Sequence, residues 1–113
     1  MELMLFTNNV SLAKEAFDAK IDRIVIDLEK RKKDERQHGY HLEINNHKIE
    51  DIIKIKNTIP IKIMCRLNPY YENSKNEIEQ ALIAGADILM LPMFKTFKEV
   101  NNFINIVDNR AKI

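Results

Sequence analysis

Glycine is scarce in this sequence, since Gly39 and Gly85 are the only two among 113 residues. Glycine-rich phosphate-binding loops need several glycines close together, so neither a P-loop nor a GxGxxG dinucleotide motif can be built here. Cysteine occurs once, at Cys65 within an apolar run, which excludes an internal disulfide and predicts a small buried core residue. A nucleotide-binding Rossmann domain and a disulfide-stabilised secreted scaffold are therefore not expected.

The chain also lacks charge of one sign and long apolar runs. Its 18 Lys and Arg residues against 17 Asp and Glu residues give a formal net charge of +1, too small to attract nucleic acid or an anionic membrane. No apolar run approaches the ~20 residues of a membrane helix, and no basic segment precedes the first apolar stretch as in a secretory signal. We expect a cytoplasmic protein whose partners are neither nucleic acids nor membranes.

Short apolar runs and helical patterns alternate along the chain. Runs at 3–7, 23–28, 61–67 and 87–91 predict strands β1 to β4, and apolar residues at helical spacing predict helices α1 to α4 at 10–20, 47–58, 75–84 and 97–109. Alternating strands and helices predict a parallel sheet. We therefore predict an α/β fold in which residues 1–113 form one half-barrel domain of four βα units, the N-terminal half of a (β/α)8 TIM barrel.

The predicted helix ends rest on capping signals. Ser74 with Glu77, and Thr96 with Glu99, have the spacing of capping boxes at the starts of α3 and α4. Gly85 is the expected end of α3. Residues 29–46 are polar and without a clear period, which is typical of a functional or mobile loop. Residues 111–113 are predicted to begin a fifth strand.

Alternation along β2 and β3 predicts which side chains share a face of the sheet. Asp27 and Glu29 lie on one face of β2, and Arg66 and Asn68 continue one face of β3. Because TIM-barrel enzymes place their working groups at the carboxyl ends of the strands, these four residues are candidates for a site. Asp87 opens β4 at the opposite end, where a structural role is expected.

Four segments then carry a resemblance to a known family: Ile26-Asp27-Leu28-Glu29, Glu35-Arg36-Gln37, Cys65-Arg66-Leu67-Asn68-Pro69, and the run from Gly85 to Phe94. Together they resemble the citrate lyase β-subunit and hydroxy-keto-acid aldolase family of the phosphoenolpyruvate/pyruvate barrel superfamily. The resemblance spans β2 to β4, and the last segment is the most specific.

The resemblance implies cleavage or formation of a carbon–carbon bond through an enolate, on a pyruvate-, oxaloacetate- or acyl-CoA-type substrate, with Mg²⁺ or Mn²⁺. Arg66 matches the family's arginine that holds the substrate carbonyl or carboxylate, a role suited to a planar, permanently charged guanidinium. Glu29 and Asp27 match the acidic motif near the metal and its waters. Catalytic roles are expected for Arg66 and Glu29, and substrate binding for Arg66, Asn68 and Asp27.

The sequence departs from the family in three places. Lys30 stands where the aldolase branch has a histidine base, and Ile83 stands where that branch has an aspartate. The citrate-lyase-like branch therefore fits better. The family's metal ligands follow strands five and six and would lie beyond Ile113, so we expect that this chain alone holds no metal and shows no lyase turnover.

Other interpretations stay open. Arg66 could be a structural salt-bridge partner of Asp27 or Glu29. The chain could be a non-catalytic half-barrel scaffold that self-associates, which fits the expectation of a homo-oligomer. It could also be a small open α/β binding module, for which a strand order of 2-1-3-4 would be diagnostic.

Two clusters of residues in the polar loop resemble binding sites, but neither is expected to be one. His38, His41 and His47 suggest a metal site, but no second cluster of His or Cys accompanies them. The basic residues from Lys30 to Lys33 are followed at once by two acidic residues, so a solvated loop is expected there instead of a nucleic-acid contact.

Overall fold

The computed structural model describes residues 1–30 and 46–113. Within this part of the chain the strands are β1 (Met4–Phe6), β2 (Arg23–Asp27), β3 (Lys62–Arg66) and β4 (Ile88–Met90). The helices are α1 (Val10–Asp18), α2 (Ile49–Thr58), α3 (Ser74–Ala84) and α4 (Phe97–Val107). None of these helices is long and apolar enough to cross a membrane.

The four strands form one parallel sheet in the order β1-β2-β3-β4. This sequential order confirms the predicted half of a TIM barrel and differs from the 2-1-3-4 order of an open α/β module. Each strand returns to the sheet through a helix, so neighbouring strands in sequence are neighbours in space.

The two faces of the sheet carry different side chains. Ile24 and Ile26 of β2, with Ile63 of β3, lie in a large core shared with the helices. Val25, Met64 and Ile88 form a smaller cluster on the opposite, inner face. This division follows the alternation of side chains along a strand and confirms the predicted faces of β2 and β3.

Two of the predicted capping residues are found at the end of α3 and the start of α4. Gly85 ends α3 with φ 110°, the left-handed conformation that glycine adopts without steric cost. At the start of α4, the hydroxyl of Thr96 accepts the Glu99 N–H at 3.2 Å and the Glu99 carboxylate accepts the Thr96 N–H at 3.1 Å. The second predicted capping box is therefore confirmed.

The first predicted capping box is wrong. Asn73 is the N-cap of α3, and its side chain makes no capping hydrogen bond. Ser74 instead accepts the N–H of Tyr71 at 2.8 Å, while the Glu77 carboxylate accepts hydrogen bonds from Asn68 and from the Tyr71 hydroxyl. Both side chains therefore bind residues of the preceding loop, and neither caps α3.

Smaller departures concern the lengths of elements. Helix α1 ends at Asp18, two residues before the predicted end, because the chain turns to a positive φ of 71° at Lys20. At the β4 edge of the sheet, Lys112 pairs with Ile88 through an isolated parallel bridge. Residues 111–113, which were predicted to begin a fifth strand, contribute this single bridge.

Asp87 has the structural surroundings expected of it. Its carboxylate accepts the N–H of Ile63 at 2.9 Å and forms an ion pair with Lys56 at 2.5 Å. These contacts tie the start of β4 to β3 and to α2, at the end of the sheet opposite the candidate site.

Candidate functional site

Polar side chains gather on the inner face at the carboxyl ends of β2 and β3. The sheet register places Asp27 beside Arg66, and Arg66 beside Met90. The next level of the same face towards the amino ends is apolar, with Val25 beside Met64. The Asp27–Arg66 pair therefore lies next to apolar side chains, at the carboxyl end of the sheet, where barrel enzymes have their active sites.

Arg66 and Asp27 form a two-pronged ion pair. Nε of Arg66 donates to Oδ1 of Asp27 at 3.0 Å, and Nη2 donates to Oδ2 at 2.7 Å. The Asp27 side chain is fully buried, whereas 27% of the Arg66 side chain is exposed. The hydrogen bond to Asp27 raises the pKa of Arg66 above its usual value, and the Asp27 and Glu29 charges add to this against the opposing effect of burial. The guanidinium is therefore permanently charged.

Arg66 also lies over an aromatic ring. Its guanidinium carbon is 5.5 Å from the centroid of the Phe6 ring, within the range of a cation–π contact. In the described parts of the chain, Nη1 of Arg66 donates no hydrogen bond. Sequence reasoning missed Phe6, although its position as the last residue of β1 is a signal for the carboxyl end of the sheet.

Glu29 lies two residues beyond Asp27 and is also buried, with 1% of its surface exposed. Its backbone N–H donates to Oδ1 of Asp27 at 3.2 Å, and its charge helps to raise the pKa of Arg66. The structure thus brings together three of the four predicted site residues. A buried carboxylate close to a guanidinium is a candidate for a general acid or base, because such groups act from positions next to the substrate.

Asn68 makes hydrogen bonds to the residue after Glu29 and to α3. Its carbonyl oxygen accepts the N–H of Lys30 at 2.8 Å, and its amide nitrogen donates to Glu77 of α3 at 2.7 Å. The strand alternation that predicted a shared face with Arg66 ends at Arg66, where β3 ends. The side-chain amide of Asn68 therefore connects the backbone at Lys30 to the Glu77 carboxylate of α3.

His47 is a residue of the site that sequence reasoning did not select as such. It is buried, and its Nδ1 accepts the backbone N–H of Asp27 at 2.8 Å. No local pattern signals this contact, because the two residues are 20 positions apart and come from different segments.

The other predicted features of the polar loop lie outside the described residues. These are His38, His41, Gly39, the Glu35-Arg36-Gln37 segment and the basic residues after Lys30. Within residues 1–30 and 46–113, no group of three or more His, Cys, Asp and Glu side chains could hold a metal ion.

Cys65 lies on the opposite face of β3 from Arg66, in the core shared with the helices. Burial raises the pKa of its thiol to about 12, and the nearby Glu77 and Asp27 charges act in the same direction. A thiol with this pKa is almost entirely protonated at neutral pH and is a poor nucleophile. Cys65 is therefore a core residue, as the sequence indicated.

No family model matches the sequence, and no curated protein matches it. Solved structures of mandelate oxidase are similar in fold. The structure with benzoyl-formic acid has a TM-score of 0.63 at 11% identity and the structure with (S)-2-phenylpropionate a TM-score of 0.62 at 11% identity, each over 97% of this chain and 40% of that chain. The chain thus spans about 40% of these TIM-barrel proteins, and at this identity the likeness shows the fold alone.

Proposed function

We propose that this chain is the N-terminal part of a carbon–carbon lyase or aldolase barrel of the citrate-lyase-like type, and that it supplies the group that binds the substrate carboxylate. The observation that carries the proposal is the Arg66–Asp27 pair. Asp27 holds the guanidinium through Nε and Nη2, which leaves Nη1 as a charged donor at the carboxyl ends of the strands. The substrate would be a pyruvate-, oxaloacetate- or acyl-CoA-type molecule that reacts through an enolate.

Each side chain has a distinct role in this proposal. Arg66 binds a carboxylate or carbonyl oxygen and stabilises the negative charge that develops on an enolate oxygen. Asp27 fixes the orientation of Arg66, and the Phe6 ring shields one side of the guanidinium from water. Glu29 is the proposed second catalytic group, a buried carboxylate two residues beyond Asp27.

The divalent metal of the resembled family does not fit the described residues. In that family the metal ligands follow strands five and six, and within residues 1–30 and 46–113 no group of three or more His, Cys, Asp and Glu side chains could hold a metal ion. Both oxygens of Asp27 also accept hydrogen bonds from Arg66. The role proposed for these residues is therefore carboxylate binding, in which Asp27 orients Arg66 and does not act as a metal ligand.

A titration of the full chain with pyruvate tests the proposal. In ¹H–¹⁵N NMR spectra we expect pyruvate to shift the amide signals at the ends of β2 and β3, and methyl pyruvate, which lacks the charge, to leave them in place. Arg66→Gln removes charge-assisted hydrogen bonds worth about 1.5–3 kcal/mol, so the affinity should fall roughly 10- to 100-fold.

The matched control is Arg110→Gln. Arg110 forms the other two-pronged arginine–carboxylate pair described, with Glu79 on the helix side, and its removal should leave pyruvate affinity unchanged. Equal binding of pyruvate by the Arg66→Gln protein and the wild type would refute the assignment. In the same samples we expect no Mg²⁺-dependent cleavage of a 4-hydroxy-2-oxo acid by this chain alone.

A second candidate function is that of a self-associating scaffold. Both open edges of the half barrel expose apolar side chains. Met4 and Phe6 are exposed on β1, and on α4 the exposed residues Phe97 and Ile104 lie two turns apart on one stripe. Apolar patches of this kind favour association, and a second copy would supply four further strands.

Light scattering after size-exclusion chromatography tests the association. If copies associate through the α4 stripe, wild type should be dimeric and Phe97→Lys monomeric. Ile83→Lys is the control, because Ile83 is 84% exposed on α3 but lies between the two edges, whereas Phe97 is 82% exposed at one of them. A monomeric wild type with a cooperative thermal transition would exclude the scaffold.

A further inference from the structure

His47 occupies the place of a missing strand partner. Alternate residues of a parallel strand direct their backbone N–H groups to opposite neighbours. The Leu28 N–H goes to the Arg66 carbonyl of β3, so the Asp27 N–H points to the β1 side. There β1 has already ended, since its last paired residue, Phe6, is level with Val25.

The His47 imidazole accepts the hydrogen bond of the Asp27 N–H, for which β1 is too short to provide a carbonyl. His47 Nδ1 accepts the Asp27 N–H at 2.8 Å in a buried setting, so Nδ1 carries no proton in this state. A buried N–H without an acceptor would be unfavourable. His47 immediately precedes Lys48, the N-cap of α2, so the start of this helix is tied to the end of β2.

The contact leads directly to the proposed substrate-binding group. The Asp27 residue whose backbone His47 holds is the one whose carboxylate holds Arg66 on both prongs. We infer that His47 is a positioning residue, which sets the orientation of the Arg66 guanidinium by fixing the Asp27 backbone. The consequence for binding rests on the function proposed above, whereas the consequence for Arg66 orientation does not.

Two uncharged substitutions separate this role from simple filling of space. His47→Asn places a carbonyl acceptor near the position of Nδ1, and His47→Gln moves the acceptor one atom further out. The first readout is the ¹H–¹⁵N signal of Arg66 Nε–H, which reports its hydrogen bond to Asp27 without any ligand. We expect His47→Asn to retain the wild-type signal and His47→Gln to shift or lose it.

The second readout is pyruvate affinity. His47→Gln should weaken it at least about tenfold, because a displaced guanidinium loses its charge-assisted hydrogen bond to the carboxylate, and His47→Asn should retain it. A His47→Gln protein with the wild-type Nε–H signal would overturn the inference, as would a folded His47→Asn protein that loses the signal. If pyruvate fails to bind wild type while the signal depends on His47, the proposed function fails and the positioning role stands.

A measurement on the wild type covers the case in which His47→Gln does not fold. A scalar coupling between the Asp27 amide nitrogen and His47 Nδ1 passes only through a hydrogen bond between them. We expect this coupling in the folded wild type. Its absence would overturn the inference whatever the variants do.

Discussion

Asp27→Asn should lower the free energy of unfolding by about 3 kcal/mol. The substitution keeps the shape of the side chain but removes the negative charge that compensates Arg66. Breaking a buried pair by removing one partner costs about 3–5 kcal/mol, and the lower end applies because part of Arg66 reaches solvent. Urea denaturation of both proteins, followed by circular dichroism, measures the difference.

The comparison for this substitution is Glu79→Gln. Glu79 also forms a two-pronged pair, with Nη1 and Nη2 of Arg110, but the two side chains are 37% and 43% exposed. Solvent screens such a pair, so we expect no measurable change in the unfolding midpoint. Equal changes in the free energy of unfolding for the two substitutions would show that the burial of Asp27 does not determine how much its pair with Arg66 stabilises the fold.

Phe103→Ala should be at least as damaging. Phe103 is 1% exposed and joins α4 to the core shared by the sheet and the helices. Replacing a buried phenylalanine by alanine removes its packing and leaves a cavity, at a cost of about 3–5 kcal/mol. Because a domain of this kind is stable by only ~5–15 kcal/mol, we expect a large fall in the urea midpoint.

Phe97→Ala is the same chemical change on the same helix. Phe97 is largely exposed at the first residue of α4, so its loss should cost about 0.5 kcal/mol or less when measured at a low protein concentration. A similar cost for both phenylalanines would contradict the assignment of α4's buried face.

Much of the fold was predictable because it depends on local periodicity. The alternation of Ile24, Val25 and Ile26 predicts two differently packed faces, and parallel pairing then brings Asp27 level with Arg66. Two of the site's residues therefore follow from strand pattern and topology without knowledge of distant contacts.

The remaining features depend on contacts between distant segments. Ser74 and Glu77 have the spacing of a capping box, but the Glu77 carboxylate instead accepts hydrogen bonds from Asn68 and Tyr71. His47 becomes important because β1 stops short of Asp27. The sequence around Glu77 does not indicate its hydrogen bonds to Asn68 and Tyr71. The sequence around His47 does not indicate that β1 ends before it can pair with Asp27.

The protonated, buried state of Cys65 makes this protein convenient for attaching probes. It is the one cysteine in the sequence, and burial with a thiol pKa near 12 keeps it from reacting with maleimides at neutral pH. A cysteine introduced on the surface would therefore be the single reactive thiol, without any need to alter the core. Fluorophores or spin labels placed at the two edges of the sheet could then report the distance between them directly.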